Sequence, residues 1–231
     1  MALVSHTYKF IFIKTHKTAS TSTEMFFEPA CAPPGRVVDI KAPMSVTEYG
    51  IIGARGTRDK KGDVDEDEWT GHMVAKLIAA RLPPDQWNGY KKFANVRNPF
   101  DRVISKFLFR RFHAKLPNYT DTKPLLEDFD SFVKSDEFKS DFFRVHVNKK
   151  YVLDDVIRFE DINAEIGRIC HDVGWNADLS GLPHARDNSA ARLGLTVPDF
   201  FTDPLRDRVL TVDNWMFEHC GYSTDPQDVA R

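Results

Sequence analysis

The sequence predicts an α/β fold around a central, mostly parallel sheet flanked by helices. Three observations carry that expectation. Short aromatic and β-branched runs alternate with segments of helical spacing along the chain, the pattern of strands joined by crossover helices. Two of the runs, Tyr8–Ile13 and Phe93–Val96, lead through polar loops straight into helix starts. The length, 231 residues, suits one domain that buries its core without disulfide or metal support. A single domain over residues 1–231 is expected.

The first strand is Y-K-F-I-F-I, Tyr8–Ile13. It breaks into T-H-K-T-A-S-T-S-T-E and resumes as M-F-F, so a small-residue loop opens a helix. Ser20 or Thr21 is placed to cap that helix, and Glu24 follows Thr21 at capping-box spacing. Residues 29–35 (P-A-C-A-P-P-G) are a turn, and Arg36–Ile40 and Tyr49–Ile52 read as short strands. After a polar loop over 53–68, Trp69–Leu82 shows helical spacing closed by Pro83 and Pro84. The strand Phe93–Val96 enters R-N-P-F-D-R-V-I-S-K-F. There Asn98 is a good N-cap, and Pro99 sits where its missing N–H costs nothing. That helix should reach about His113. Residues 124–146 are Phe-rich with helical spacing. Val156–Phe159 reads as a strand, and Ile162–Val173 as a helix stopped by Gly174. Residues 176–198 look irregular, and Asp203–Cys220 reads as one last helix before Gly221.

Composition excludes several classes. Lys plus Arg number 32 and Asp plus Glu 34, for a net charge of −2, which lacks the basic excess of a nucleic-acid binder. Eighteen Phe residues argue against disorder. Three scattered cysteines suit a reducing compartment, and the N-terminal apolar run is too short for a signal core or membrane span. A soluble, cytoplasmic chain is expected. The acidic run at 63–68 fails the calcium-loop pattern, because Glu68 falls where a glycine is needed. Cys170-His171 and His219-Cys220 lack metal-ligand spacing, so no metal is expected. Phe129, Phe132, Phe138, Phe142 and Phe143 read as core or cleft wall.

Two constellations carry chemistry. The loop from Lys14 to Ser22 places Lys17 and the residues Thr18, Ala19, Ser20, Thr21 and Ser22 at a helix start, where backbone N–H groups and the helix dipole favour an anion. The Walker pattern G-x-x-x-x-G-K-[ST] is absent. At the second junction Arg97 offers a rigid charged fork, with Ser105 about two helical turns further on.

The two together identify a resemblance. Lys17–Ser22, K-T-A-S-T-S, resembles the phosphosulfate-binding loop of sulfotransferases, in the form found in their carbohydrate, Golgi-type branch. F-A-N-V-R-N-P-F-D-R-V-I-S-K-F is similar to the segment whose Arg and Ser hold the 3'-phosphate, and V-I-R-F-E-D-I resembles a third strand of the same superfamily. The resemblance runs from about residue 8 to 222. It implies a P-loop-like three-layer fold, 3'-phosphoadenosine-5'-phosphosulfate as sulfuryl donor, and a hydroxyl-bearing acceptor such as a carbohydrate. It assigns the donor to residues 17–22, Arg97 and Ser105, with Arg186 or Arg192 as a basic residue over it.

Lys17 would stabilise the leaving phosphate. His72, read as opening the helix before Phe93–Val96, is the candidate base that takes the acceptor's proton, titrating near ~6.5 if unperturbed. His16, Glu24 and Glu48 are the alternatives. The rival readings are a nucleotide kinase-like phosphotransferase and a nucleotide-binding module without catalysis.

Overall fold

The computed structural model describes residues 2–56, 68–181 and 189–229. Arg186 and most of the acidic run lie outside the described residues. In chain order the elements begin β1 (Ala2–Ser5), β2 (Phe10–Ile13), α1 (Ser20–Phe27), β3 (Ser45–Thr47) and β4 (Gly50–Ile52). Next come α2 (Ala75–Arg81), α3 (Pro84–Gly89), β5 (Lys91–Val96), α4 (Pro99–His113) and α5 (Thr122–Lys134). Then follow α6 (Phe142–Val145), β6 (His146–Val147), β7 (Lys150–Tyr151), β8 (Asp155–Arg158) and α7 (Ile162–Asp172). The last two are α8 (Asp203–Val212) and α9 (Asn214–Cys220). The chain forms two compact units, Met1–Asn95 with Phe143–Ala185, and Val96–Phe142 with Arg186–Arg231.

The first unit is α/β, as expected. Its sheet has six strands in the order β3-β4-β1-β2-β5-β8. β2 and β5 run parallel, with Phe10 opposite Lys91 and Phe12 opposite Phe93. Antiparallel pairs attach β1 to β2 and β4, and β3 to β4. Connection length explains the difference. The few residues between β1 and β2 can only reverse the chain, whereas the long stretch from β2 to β5 has room for a crossover. β1, a four-residue A-L-V-S segment, carries too little pattern to be read from sequence. Lys9 turns with φ 52°, so β2 begins only at Phe10.

An aromatic cluster seats α1 on the sheet. Phe27 lies 5.6 Å from Phe10 and 5.2 Å from Phe93, ring centre to ring centre, within the range of attractive aromatic pairs. Ile157 of β8 and Ile166 and Ile169 of α7 complete this core.

Beneath α1 lies a buried ionic layer. Glu24 accepts from Lys14 at 2.6 Å and from Arg55 at 3.2 Å. Glu28 accepts from Arg55 at 2.6 Å and Arg36 at 2.9 Å. The capping box expected of Thr21 and Glu24 is therefore not formed. Ala19 is the N-cap, left-handed at φ 58°, and no side chain caps the helix. A fully buried carboxylate does better against two cations than against one amide.

The second unit packs α4, α5, α8 and α9 around Phe100, Phe107, Phe129, Phe132, Phe200 and Val209. α4 starts as expected, with the Asn98 side chain accepting from Phe100 N at 3.0 Å and Pro99 first in the helix. It ends in a Schellman turn. Leu116 N–H bonds the Arg111 carbonyl at 3.2 Å, Lys115 N–H the Phe112 carbonyl at 3.1 Å, and Lys115 is left-handed at φ 54°.

Several boundaries differ from expectation. Arg36–Ile40 forms no strand. Residues 69–74 are not helical, so α2 starts only at Ala75. The Phe-rich stretch 124–146 divides, since α5 stops at Lys134 and a short α6 follows. Phe129, Phe132 and Phe138 are core residues, whereas Phe143 is exposed. The expected last helix breaks at Asp213, whose buried carboxylate pairs with Arg102 and accepts from Ser140 at 2.8 Å. Asp213 shares the buried Arg102 guanidinium with Asp141, which lies at 3.2 Å, so the break keeps a buried charge fully paired.

Candidate active site

The loop after β2 is held by its own hydroxyls. Thr15 donates to the Asn95 carbonyl at 2.6 Å and lies 2.8 Å from the Thr18 hydroxyl. With its single proton so used, Thr15 accepts from Thr18. Ser20 donates to the Thr15 carbonyl at 2.5 Å. The buried Asn95 side chain ties the loop to β5, donating to Thr18 O at 2.9 Å and Thr23 Oγ1 at 2.7 Å. The hydroxyls of Thr18 and Ser20 bond within the loop and set its shape. Lys17, Ala19 and Ser22 are half-buried and Thr21 is exposed.

That shape exposes backbone donors. Lys17 and Ala19 are both left-handed, at φ 62° and 58°. The Ala19 carbonyl accepts from Ser22 N and Thr23 N, while the Ser20 and Thr21 amides, at the first helical positions, have no acceptor within α1. An anion fits amides at a helix start flanked by Lys17.

His72 does not open a helix. It occupies a turn, left-handed at φ 58°, three residues before α2. The contacts of the His72 ring explain the turn. The ring stacks on His16 with centres 4.0 Å apart and planes 11° from parallel. Its Nδ1 lies 3.4 Å from the Lys14 carbonyl. A carbonyl only accepts, so Nδ1 carries the proton and Nε2 the lone pair. Arg144 completes the cluster, donating from Nε to His16 Nδ1 at 3.2 Å and from Nη1 to the His72 carbonyl. Burial, reinforced by His16, Lys14 and Arg144, pushes the pKa of His72 down to about 2. The ordinary histidine titration expected of it is thereby corrected: His72 is neutral throughout the physiological range.

The other base candidates fare differently. Glu24 has both oxygens committed to Lys14 and Arg55 and is fully buried, so it faces no acceptor. Glu48 is exposed in the turn between β3 and β4. His16 lies within the cluster itself.

In the second unit, Arg97 is largely buried and donates to Asp101 at 2.5 Å. Arg192 reaches the other oxygen of Asp101. Two guanidinium groups share one carboxylate, and among the described residues the buried Nε of Arg192 has no hydrogen-bond partner. An orphaned, charged donor beside a second arginine fits an anion. Ser105 is buried on α4, one turn beyond Asp101.

Sequence reasoning missed Asn95 and Arg144. Asn95 had a signal, as a polar residue inside the apolar run F-A-N-V. Arg144 had none, because its partners lie 72 and 128 residues away.

The family model described as "Sulfotransferase family" matches residues 1–182, which include the loop after β2 and the Arg97 junction. No curated protein matches the chain. A match of that extent settles the family. The chain belongs to the sulfotransferase family.

Proposed function

We propose that the protein transfers the sulfuryl group of 3'-phosphoadenosine-5'-phosphosulfate to an acceptor hydroxyl, with a glycan as the favoured acceptor class. The observation that carries this reading is a neutral His72, its Nε2 lone pair free of the proton on Nδ1, held next to the Lys17 loop by its stack on His16. When bound, the donor supplies an activated sulfuryl group joined to a good leaving phosphate.

The residues divide the work. The amides of residues 19–21 and the Lys17 ammonium bind the phosphosulfate end, and Lys17 balances the charge that grows on the bridging oxygen. Arg97 and Arg192 hold the 3'-phosphate, together with Ser105 of α4. His72 Nε2 takes the acceptor's proton as the acceptor oxygen bonds to sulfur and the sulfur–oxygen bond to the phosphate breaks. Arg144 keeps both histidine rings in place through His16 and the His72 carbonyl. A buried histidine is a weak base when the loop is empty, and the donor's negative charge would raise its basicity once bound. The glycan assignment rests only on the K-T-A-S-T-S form of the loop.

Transfer from radiolabelled donor to a panel of glycans, small alcohols and phenols tests this reading. The expected result is labelled product from the glycan arm, together with saturable binding of 3'-phosphoadenosine-5'-phosphate by calorimetry. Nucleotide binding without transfer to any acceptor would leave a catalytically silent module, and magnesium-dependent ATP turnover would favour a phosphotransferase.

A further inference from the structure

His16 stands immediately before Lys17, and both its ring face and its nitrogens are in use. One face lies on His72, with centres 4.0 Å apart and planes 11° from parallel. Arg144 takes the nitrogens: its Nε donates to His16 Nδ1 at 3.2 Å, and its Nη2 stands 3.5 Å from His16 Nε2. Nδ1 is therefore an occupied acceptor, and the neutral ring carries its proton on Nε2. A ring so placed has no lone pair to offer an acceptor hydroxyl. Its face is what it contributes.

His72 needs such a support. It belongs to a turn, where no helical or strand ladder fixes the backbone. The Lys14 carbonyl holds one edge of the ring at Nδ1, and Arg144 holds the His72 carbonyl. Among the described residues, the stack on His16 is the one aromatic contact of His72, and a stack is what resists rotation of the ring out of its plane. The groups that bear on His72 electrostatically are His16, the terminal amine, Lys14 and Arg144, and Lys14 is itself paired with Glu24. A ring held out of water beside these cations stays uncharged, whereas one that swings into water gains a proton more easily.

We propose that His16 is a positioning residue for the base: its ring face keeps His72 seated with Nε2 available to the acceptor, and its peptide link to Lys17 ties the base to the donor loop. His16 thus leaves the list of candidate bases and acts only through His72. The proposal rests on the sulfuryl-transfer reading, but its first readout needs no turnover.

The test follows the histidine ring protons by NMR as pH is varied, in the full chain and in His16→Ala and His16→Phe, with His72→Gln to assign the signal. In the parent the His72 signal should stay still over about pH 4–8. In His16→Ala it should titrate at about pH 5–6.5, because burial is lost while Lys14 and Arg144 remain. In the same variant kcat should fall by about tenfold to a hundredfold, as for a misplaced catalytic group, and kcat/KM should gain an acidic limb at that pH. Affinity for 3'-phosphoadenosine-5'-phosphate should stay within a factor of about three. His16→Phe keeps a flat ring on His72 and should restore both the still signal and most of kcat; it carries the test if His16→Ala does not fold. A still His72 signal and an intact kcat in His16→Ala would overturn the proposal. Loss of nucleotide affinity together with kcat would also overturn it, by marking a collapsed loop, as would a His72 that titrates in folded His16→Phe. A parent without transferase activity would sink the sulfuryl-transfer reading instead, and the NMR signals would still decide whether His16 seats His72.

Discussion

The two strand-to-helix junctions of this protein reach similar ends by opposite means. After β2, no side chain caps α1, and the loop is shaped by left-handed Lys17 and Ala19 with hydroxyls turned inward. After β5, Asn98 caps α4 in the ordinary way, and charge gathers beside the helix start through Arg97, Asp101 and Arg192. The first junction offers backbone N–H groups and the second offers guanidinium groups. A backbone cradle depends on whatever holds its shape, while a charged one depends on the charges themselves. Substitutions should therefore act on the two differently.

The largest effect is expected at the first junction. Lys17→Ala should lower kcat by at least ~10²-fold, as for loss of one preorganised electrostatic group, with thermal unfolding little changed. A near-normal kcat would remove Lys17 from the chemistry.

At the second junction, Arg97→Ala should weaken 3'-phosphoadenosine-5'-phosphate by about 1.5–3 kcal/mol, the worth of a charge-assisted contact. The already poor binding of an analogue lacking the 3'-phosphate should scarcely change. Equal losses for the two ligands in calorimetry would place Arg97 away from that phosphate.

The two asparagines sharpen the contrast. Asn95→Ala strands the buried Thr18 carbonyl and should cost roughly 1–3 kcal/mol of stability, and it should lower kcat because the loop loses its tie to β5. Asn98→Ala removes an ordinary cap, at about 1 kcal/mol, and should leave kcat near normal. Denaturant titration and steady-state kinetics on both variants decide the matter. If Asn98→Ala damages kcat as severely as Asn95→Ala, the contrast between a shaped loop and a capped helix fails.

The last effect is a pH slope. His72 has a pKa of about 2 in the folded chain and an ordinary value near ~6.5 when unfolded. Between those values the unfolded chain binds the extra proton, so the stability due to neutral His72 is complete above ~6.5 and declines as pH falls. His72→Gln should flatten that part of the stability–pH curve. In the parent enzyme, His72 should contribute no acidic limb near ~6.5 to kcat/KM. A limb there that vanishes in His72→Gln would show that His72 titrates normally.

Much of this was legible in the residues. The K-T-A-S-T-S loop, the Arg97 junction, the Asn98 cap and the Gly174 and Gly221 stops follow from local rules, because caps, turns and helix starts depend on residues a few positions apart. The left-handed Ala19, the buried Glu24 layer, the break at Asp213 and the turn at His72 do not. Each is set by a partner distant in sequence, such as Arg55 for Glu24 at a separation of 31 residues and Arg102 for Asp213 at 111. The sequence by itself determined where a helix start follows a lysine and where an always-charged arginine follows a strand, since caps, helix starts and fixed charge are carried in covalent chemistry and local spacing. Only the tertiary structure decided that Thr18 and Ser20 turn inward and that His72 stays neutral, because hydroxyl direction and burial depend on which neighbours the fold brings alongside.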